Sequence, residues 1–256
     1  MASLDGVRAL VTGSTSGLGR AMAAALVSAG ASVAVTGRSA ARSEAVAAGL
    51  GERAFGVAMD VRDEAAVTAA VDTAWERLGG LDVLVNNAGI GMRTVNPRFL
   101  EEPQPFWEVP VDGFRDVVET KMGGCFLVAR TVVPRMLDAG AGRVVTISMS
   151  ESTMVRGGFV PYGPAGAGVE ALARVMAADL AGTPVRANIL LPGRATATGM
   201  IPDDGVPEAV RAGLLDAEVM GPPIVWLASP EAAGVHGERV VAVEFEEWVA
   251  GRRAGS

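Results

Sequence analysis

One tyrosine, Tyr162, and one lysine, Lys121, stand in a chain of 256 residues that carries 22 basic side chains. A composition that uses arginine almost everywhere else has kept a single compact, titratable ammonium. A phenol and an ammonium in one site form an acid/base pair. A unit charge about 4 Å from a phenolate, at an effective dielectric of about 20, is worth roughly 4 kcal/mol, or roughly three pKa units. Such a shift brings a phenol from near 10 toward 7, where proton transfer at neutral pH is most efficient. The bland alternatives are a lysine reaching along a helix edge to solvent and a tyrosine hydroxyl anchoring a helix start. Ser148 and Ser150 flank Met149 at the end of a β-branched run, where serines commonly form turns. His236 sits between glycines near the last strand and reads as a surface turn, and Cys125 as a small core residue. No His/Cys/carboxylate cluster has metal-ligand spacing, so no metal is expected.

The elements that must position these groups alternate regularly. Short β-branched runs over 7–11, 32–36, 54–60, 81–86, 143–147, 186–191 and 239–243 are separated by helical patterns over 18–29, 40–50, 64–78, 111–139, 161–181, 207–215 and 222–228. That alternation predicts βαβ units, hence an α/β fold with a doubly wound parallel sheet in three layers, Rossmann-like, forming one domain over residues 1–256. Phe114, Val118, Lys121, Cys125, Val128 and Val132 follow four-three spacing, so Lys121 is expected to project from an apolar helix stripe. Two stretches break the rhythm, 91–110 and 194–223, and both follow strand ends on the face where open α/β sheets bind ligands. Both read as substrate loops. Met92, Phe106 and Trp107 in the first, and Met200 and Ile201 in the second, suit a hydrophobic or aromatic small molecule, with Arg93 and Arg194 beside them for an anionic group.

The first strand runs into Thr12-Gly13-Ser14-Thr15-Ser16-Gly17-Leu18-Gly19, with a helix immediately after. Glycines in a strand-to-helix turn let backbone N–H groups and the helix N-terminus approach a pyrophosphate, and they equally serve tight packing with no ligand. The spacing here is G-x-x-x-G-x-G. Together with Asp60-Val61 after the third strand, Asn86-Asn87-Ala88-Gly89 after the fourth, Tyr162 before a helix and Pro192-Gly193 after the sixth strand, the chain resembles the short-chain dehydrogenase/reductase family over nearly its whole length.

The resemblance implies that Gly13, Ser14, Ser16, Gly17, Leu18 and Gly19 bind a cofactor pyrophosphate, that Asp60 and Val61 sit by the adenine, that Asn87, Ala88 and Gly89 wall the cofactor, and that Pro192 and Gly193 flank the nicotinamide. The second strand ends in Gly37-Arg38-Ser39, without the carboxylate that NAD-preferring relatives carry, and Arg38 could pair with a 2′-phosphate; NADP(H) is the expected cofactor. Family members use an Asn-Ser-Tyr-Lys set. Here Tyr162 matches the tyrosine, Gly166 stands at the lysine position four residues on, Lys121 at the asparagine, and Met149 at the serine that holds the substrate oxygen, with Ser148 and Ser150 flanking it as candidates for that role. The lysine has moved, on this reading, and Gly166 should leave room for its stem beside Tyr162. An NADP(H)-dependent reductase of a carbonyl or conjugated compound is expected. The alternatives are a non-redox lyase, cyclase or isomerase, with an imine on Lys121 as one version, and a catalytically silent nucleotide-binding protein.

A net charge of -7 argues against a nucleic-acid partner. A lone cysteine, no basic-then-apolar leader and no long apolar run point to the cytoplasm and away from a membrane. The resemblance also implies association through helices 111–139 and 161–181, which would bury their outer apolar residues, so a homodimer or homotetramer is expected.

Overall fold

The computed structural model describes residues 3–201 and 208–254. Seven runs form one sheet: β1 (Arg8–Val11), β2 (Ser32–Gly37), β3 (Ala54–Ala58), β4 (Val83–Asn86), β5 (Gly142–Ile147), β6 (Val185–Leu191) and β7 (Arg239–Val241). Their order is β3-β2-β1-β4-β5-β6-β7, and every pairing is parallel. Strands buried on both faces need consecutive apolar residues, and Ala9-Leu10-Val11 and Val83-Leu84-Val85 supply them at the sheet centre. The chain winds outward from β1 to β3 and then returns to β4 beside β1. That reversal opens a crevice at the carboxyl ends of β1 and β4.

Helices cover both faces. On one, α1 (Gly17–Ser28), α2 (Ala40–Leu50), α9 (Gly221–Ala228) and α10 (Phe245–Ala254) bring Met22, Leu26, Ala47, Ile224 and Phe245 against Val11, Val35 and Val85. On the other, α3 (Glu64–Leu78), α5 (Gly124–Asp138) and α7 (Tyr162–Asp179) bring Val67, Val71, Val128, Val132 and Ala177 against Leu10, Leu84 and Val144. The remaining helices, α4 (Val111–Val118), α6 (Glu151–Met154) and α8 (Glu208–Ala212), belong to the connections. Among the described residues no helix is long and apolar enough to cross a membrane. The doubly wound, three-layered fold is the expected one.

The long helix expected over 111–139 is interrupted. Between α4 and α5 lies one π turn, Glu119–Gly123, with Lys121 at its middle. A π turn holds more residues than an α turn, so it shifts the phase of everything before it. The inward residue one turn before Lys121 is therefore Val117, which is fully buried, and not Val118, while Phe114 is 41% exposed. The stripe is Val117, Lys121, Cys125, Val128 and Val132, a correction to the expected one. At the junction Gly124 lies against Val61, where a Cβ would come within 2.5 Å of Val61 Cγ2. The expected helix over 207–215 is shorter, and its Pro207 lies outside the described residues, as do residues 202–206 of the second substrate loop.

Candidate active site

The glycine-rich turn is tied to the segment after β4. Thr12 Oγ1 accepts from the backbone N–H groups of Asn87 (2.8 Å) and Ala88 (2.9 Å), and Asn87 Nδ2 donates to the carbonyls of Thr12 (2.9 Å) and Gly13 (3.2 Å). Gly13 and Gly17 have φ of 62° and 53°, which favours glycine. A Cβ on Gly19 would lie 2.5 Å from Asn87 Nδ2. Ser16 is the N-cap of α1 but makes no side-chain cap bond, and the first turn holds no acidic residue. The turn therefore presents helix N-terminal donors with no internal acceptor, which suits the pyrophosphate of a dinucleotide. Ser14 is different from expectation: it is fully buried, its hydroxyl donates to Val11 O (2.7 Å) and accepts from Thr36 N (2.9 Å), and its N–H bonds Thr36 O. It joins β1 to β2 beneath the turn, out of reach of a ligand. Leu18 packs partly into the core, and Gly193, following Pro192 at the end of β6, turns with φ of 99° against Val241 and Val243.

At the end of β2, Arg38 is exposed, and its charge helps hold the Asp60 carboxyl below the usual carboxylate range. The larger cause there is Arg62, which donates to Asp60 from Nε (3.2 Å) and Nη2 (3.0 Å). Ser39 caps α2 by accepting from Arg42 N (3.3 Å).

Lys121 and Tyr162 meet. The ammonium Nζ lies over the tyrosine ring, 5.3 Å from its centroid, within cation–π range. It also borders the segment after β4, since a Cβ on Gly89 would lie 3.8 Å from it. Lys121 is 9% exposed, and burial pushes its ammonium down to about 8. Burial pushes the Tyr162 phenol up, against the expectation that the lysine brings it toward neutrality. The cause is burial of the tyrosine itself; the ammonium sits over the ring face and, among the described residues, makes no hydrogen bond to the hydroxyl. The phenol remains an acid at neutral pH, and the amine carries its proton below about 8. Tyr162 packs with Met92, Phe99 and Phe159 at the foot of the first substrate loop, and its hydroxyl points to Met200 Sδ (3.7 Å) in the second.

The room at Gly166 is filled by a different side chain from the one expected. A Cβ there would meet Met149 Cε at 2.4 Å and Sδ at 2.7 Å, so Met149 takes that volume and the lysine stem does not. Gly163 and Gly168 admit Met154 O and Met122 Sδ in the same way, which explains three glycines in a helix despite a cost of about 1 kcal/mol each. Ser148 donates to Glu170 Oε2 (2.6 Å), and Glu170 Oε1 accepts from Arg174 (2.8 Å) and Arg239 (2.9 Å). That commitment takes the Ser148 hydroxyl out of the expected substrate role. Ser150 is the N-cap residue of α6, and its hydroxyl bonds those of Ser152 (3.2 Å) and Thr153 (2.8 Å). Sequence reasoning passed over Glu170, whose signal was a carboxylate among the apolar residues of a helix; His236, read as a surface turn, is half-buried and accepts from Ala187 N at Nδ1 (3.2 Å), so it donates from Nε2 to Ala177 O (2.7 Å). Phe106 and Trp107 stand 67% and 72% exposed as an edge-to-face pair, away from Tyr162's cluster.

The chain belongs to the short chain dehydrogenase family, whose model matches residues 8–205. It is similar to the 3-oxoacyl-(acyl-carrier-protein) reductase FabG of Salmonella typhimurium, 31% identical over 242 residues, or 92% of this chain and 95% of that one. Among solved structures it is similar to a 3-ketoacyl-(acyl-carrier-protein) reductase from Brucella melitensis complexed with NADH, with a TM-score of 0.83, 29% identity, and coverage of 93% and 97%. A short chain dehydrogenase from Burkholderia cenocepacia in complex with NADP gives a TM-score of 0.79 at 29% identity, covering 93% of this chain and 96% of that one.

Proposed function

We propose that the protein is an NADP(H)-dependent oxidoreductase, an atypical member of its family, that reduces a carbonyl or conjugated small molecule, with Tyr162 as proton donor and Lys121 as the neighbouring cation. The observation that carries this is the Lys121 ammonium over the Tyr162 ring at 5.3 Å. Relatives with NADH and NADP bound support a nicotinamide dinucleotide in the crevice, and Arg38 without a carboxylate at the end of β2 supports the 2′-phosphorylated form. Gly13, Ser16, Gly17, Gly19, Asn87, Ala88 and Gly89 would hold it, with Asp60, Val61, Pro192 and Gly193 at its two ends. When bound, the dinucleotide supplies hydride. The phenol, kept protonated by its surroundings, delivers the proton to the substrate oxygen, and the ammonium stabilises the phenolate left behind. Ser150 would orient that oxygen once its bond to Thr153 rearranges. Residues 1–256 act as one domain, in the cytoplasm, as a homodimer or homotetramer through the exposed Phe114, Met122, Phe126 and Val175.

The test is NADPH oxidation with a panel of hydrophobic ketones and enones. Tyr162→Phe and Lys121→Ala should each abolish turnover while NADPH still binds. In the unaltered protein the rate should fall as pH rises through about 8, where the ammonium is lost. Full turnover by Lys121→Ala removes the lysine from the chemistry, and borohydride trapping of substrate on Lys121 would replace reduction by imine chemistry.

A further inference from the structure

Asn86, the last residue of β4, is 5% exposed, and neither its Oδ1 nor its Nδ2 has a hydrogen-bond partner among the described residues. A buried amide without partners costs about 1–3 kcal/mol for each unmet group, so this one calls for an explanation. The other polar groups around it are engaged. Thr12 Oγ1 donates to Val85 O (3.3 Å) and accepts two N–H groups, and Thr146, opposite Asn86 in the sheet, hydrogen-bonds Cys125. Asn86 lines a cavity of ≈ 10 Å³ with Thr12, Ala88, Lys121, Cys125, Ile147 and Val169. Lys121 makes no hydrogen bond or ion pair to the protein among the described residues, and its ammonium has up to three N–H donors to place. Two polar side chains with unmet hydrogen-bonding capacity, on β4 and on the π turn, thus share one small space.

We infer that this cavity holds a single water that bridges the Asn86 amide to the Lys121 ammonium, making Asn86 a positioning residue for the lysine. The volume takes one water and no more, and the donors and acceptors around it supply the two to four partners a buried water needs. The bridge would satisfy the orphaned amide and solvate an ammonium that has only an aromatic face otherwise. It fixes the lysine between the tyrosine and the segment after β4, so it refines the proposed function above and rests on that reading only for its catalytic consequence. The titratable groups facing Lys121 are Cys125, one turn along its own helix, and Tyr162 from α7. Burial pushes the Cys125 thiol up to about 11, so it is neutral across the working range.

The single lysine permits a direct readout. Protein grown on ε-13C-lysine gives one side-chain resonance, that of Lys121, whose pH titration is independent of turnover. Asn86→Asp puts a carboxylate across the same water and should raise the midpoint by about one pH unit or more. Asn86→Leu, similar in shape but without polar atoms, should lower it. Midpoints unchanged in both variants, with native circular dichroism, would overturn the inference. If the leucine variant does not fold, the aspartate variant decides alone. A high-resolution crystal structure of the unaltered protein should show one water within hydrogen-bond reach of both groups, and a dry cavity there would also overturn it. Failure of Lys121→Ala to affect turnover would strike the proposed function and leave this result standing.

Discussion

Met149 occupies the volume that a side chain at residue 166 would need, with its Cε 2.4 Å from a Cβ built on Gly166. On the resemblance read from sequence, these are the positions at which a serine and a lysine are expected. Their occupants compensate each other in space, a large side chain at the end of β5 against a bare backbone on α7.

The first prediction follows from that contact. Gly166→Lys alone overpacks the site and should cost about 1–3 kcal/mol. Met149→Ser alone leaves a hole beneath a residue 7% exposed and should cost about 2–4 kcal/mol. The double variant should lose less than the sum by about 1 kcal/mol or more. Urea denaturation of all four proteins measures the coupling, and strict additivity would show that the two side chains do not compete for one volume.

Burial of Lys121 has a stability cost with a definite pH dependence. Its ammonium falls to about 8 in the folded protein, against about 10.4 unfolded, so the unfolded chain binds more proton between those values and stability rises with pH across that window. Lys121→Met should be more stable than the natural protein by about 3 kcal/mol near pH 7, and the advantage should vanish by about pH 10. A constant difference at both pH values would mean that the lysine is not desolvated.

Cofactor choice turns on Arg38. Arg38→Ala should weaken NADPH binding about tenfold or more, the value of one charge-assisted contact, and leave NADH unchanged. Fluorescence titration with both dinucleotides decides it, and equal losses for the two would remove the 2′-phosphate from the interaction.

Glu170 is pulled upward by burial, yet hydrogen bonds from Ser148 and Arg174 and the charge of Arg239 hold it below the usual carboxylate range. A depressed carboxyl stabilises the fold above its unfolded value of about 4.3 and loses that contribution as pH falls. Glu170→Gln should cost about 1–2 kcal/mol at pH 7, since the arginines left behind reach solvent, and progressively less toward pH 3. Parallel stability curves for the two proteins would refute the role given to this carboxylate, which also holds Arg239 where it donates to Met149 O (3.1 Å).

The sheet was legible because each strand is a short β-branched run bounded by turn residues, and Asp63 and Gly79 mark the ends of α3 as plainly as sequence can. The Lys121–Tyr162 pair was legible for a different reason: each is the sole residue of its kind. What could not be read were contacts between segments distant in sequence. Met149 against Gly166 and Met200 against Tyr162 depend on how elements dock, and no local pattern encodes them. The expected stripe through Phe114 and Val118 failed because a constant 3.6-residue period was assumed across a turn that does not keep it. The final helix α10 was passed over although Phe245, Trp248 and Val249 have helical spacing.

The π turn at Glu119–Gly123 amounts to one amino acid more than a regular helix needs. Removing one of the four besides Lys121 would straighten the rod and swing Lys121 about 100° away from the tyrosine, or else rotate Val117 out of the interior. The approach of Lys121 to the tyrosine thus depends on the backbone geometry of this turn as much as on the side chain itself.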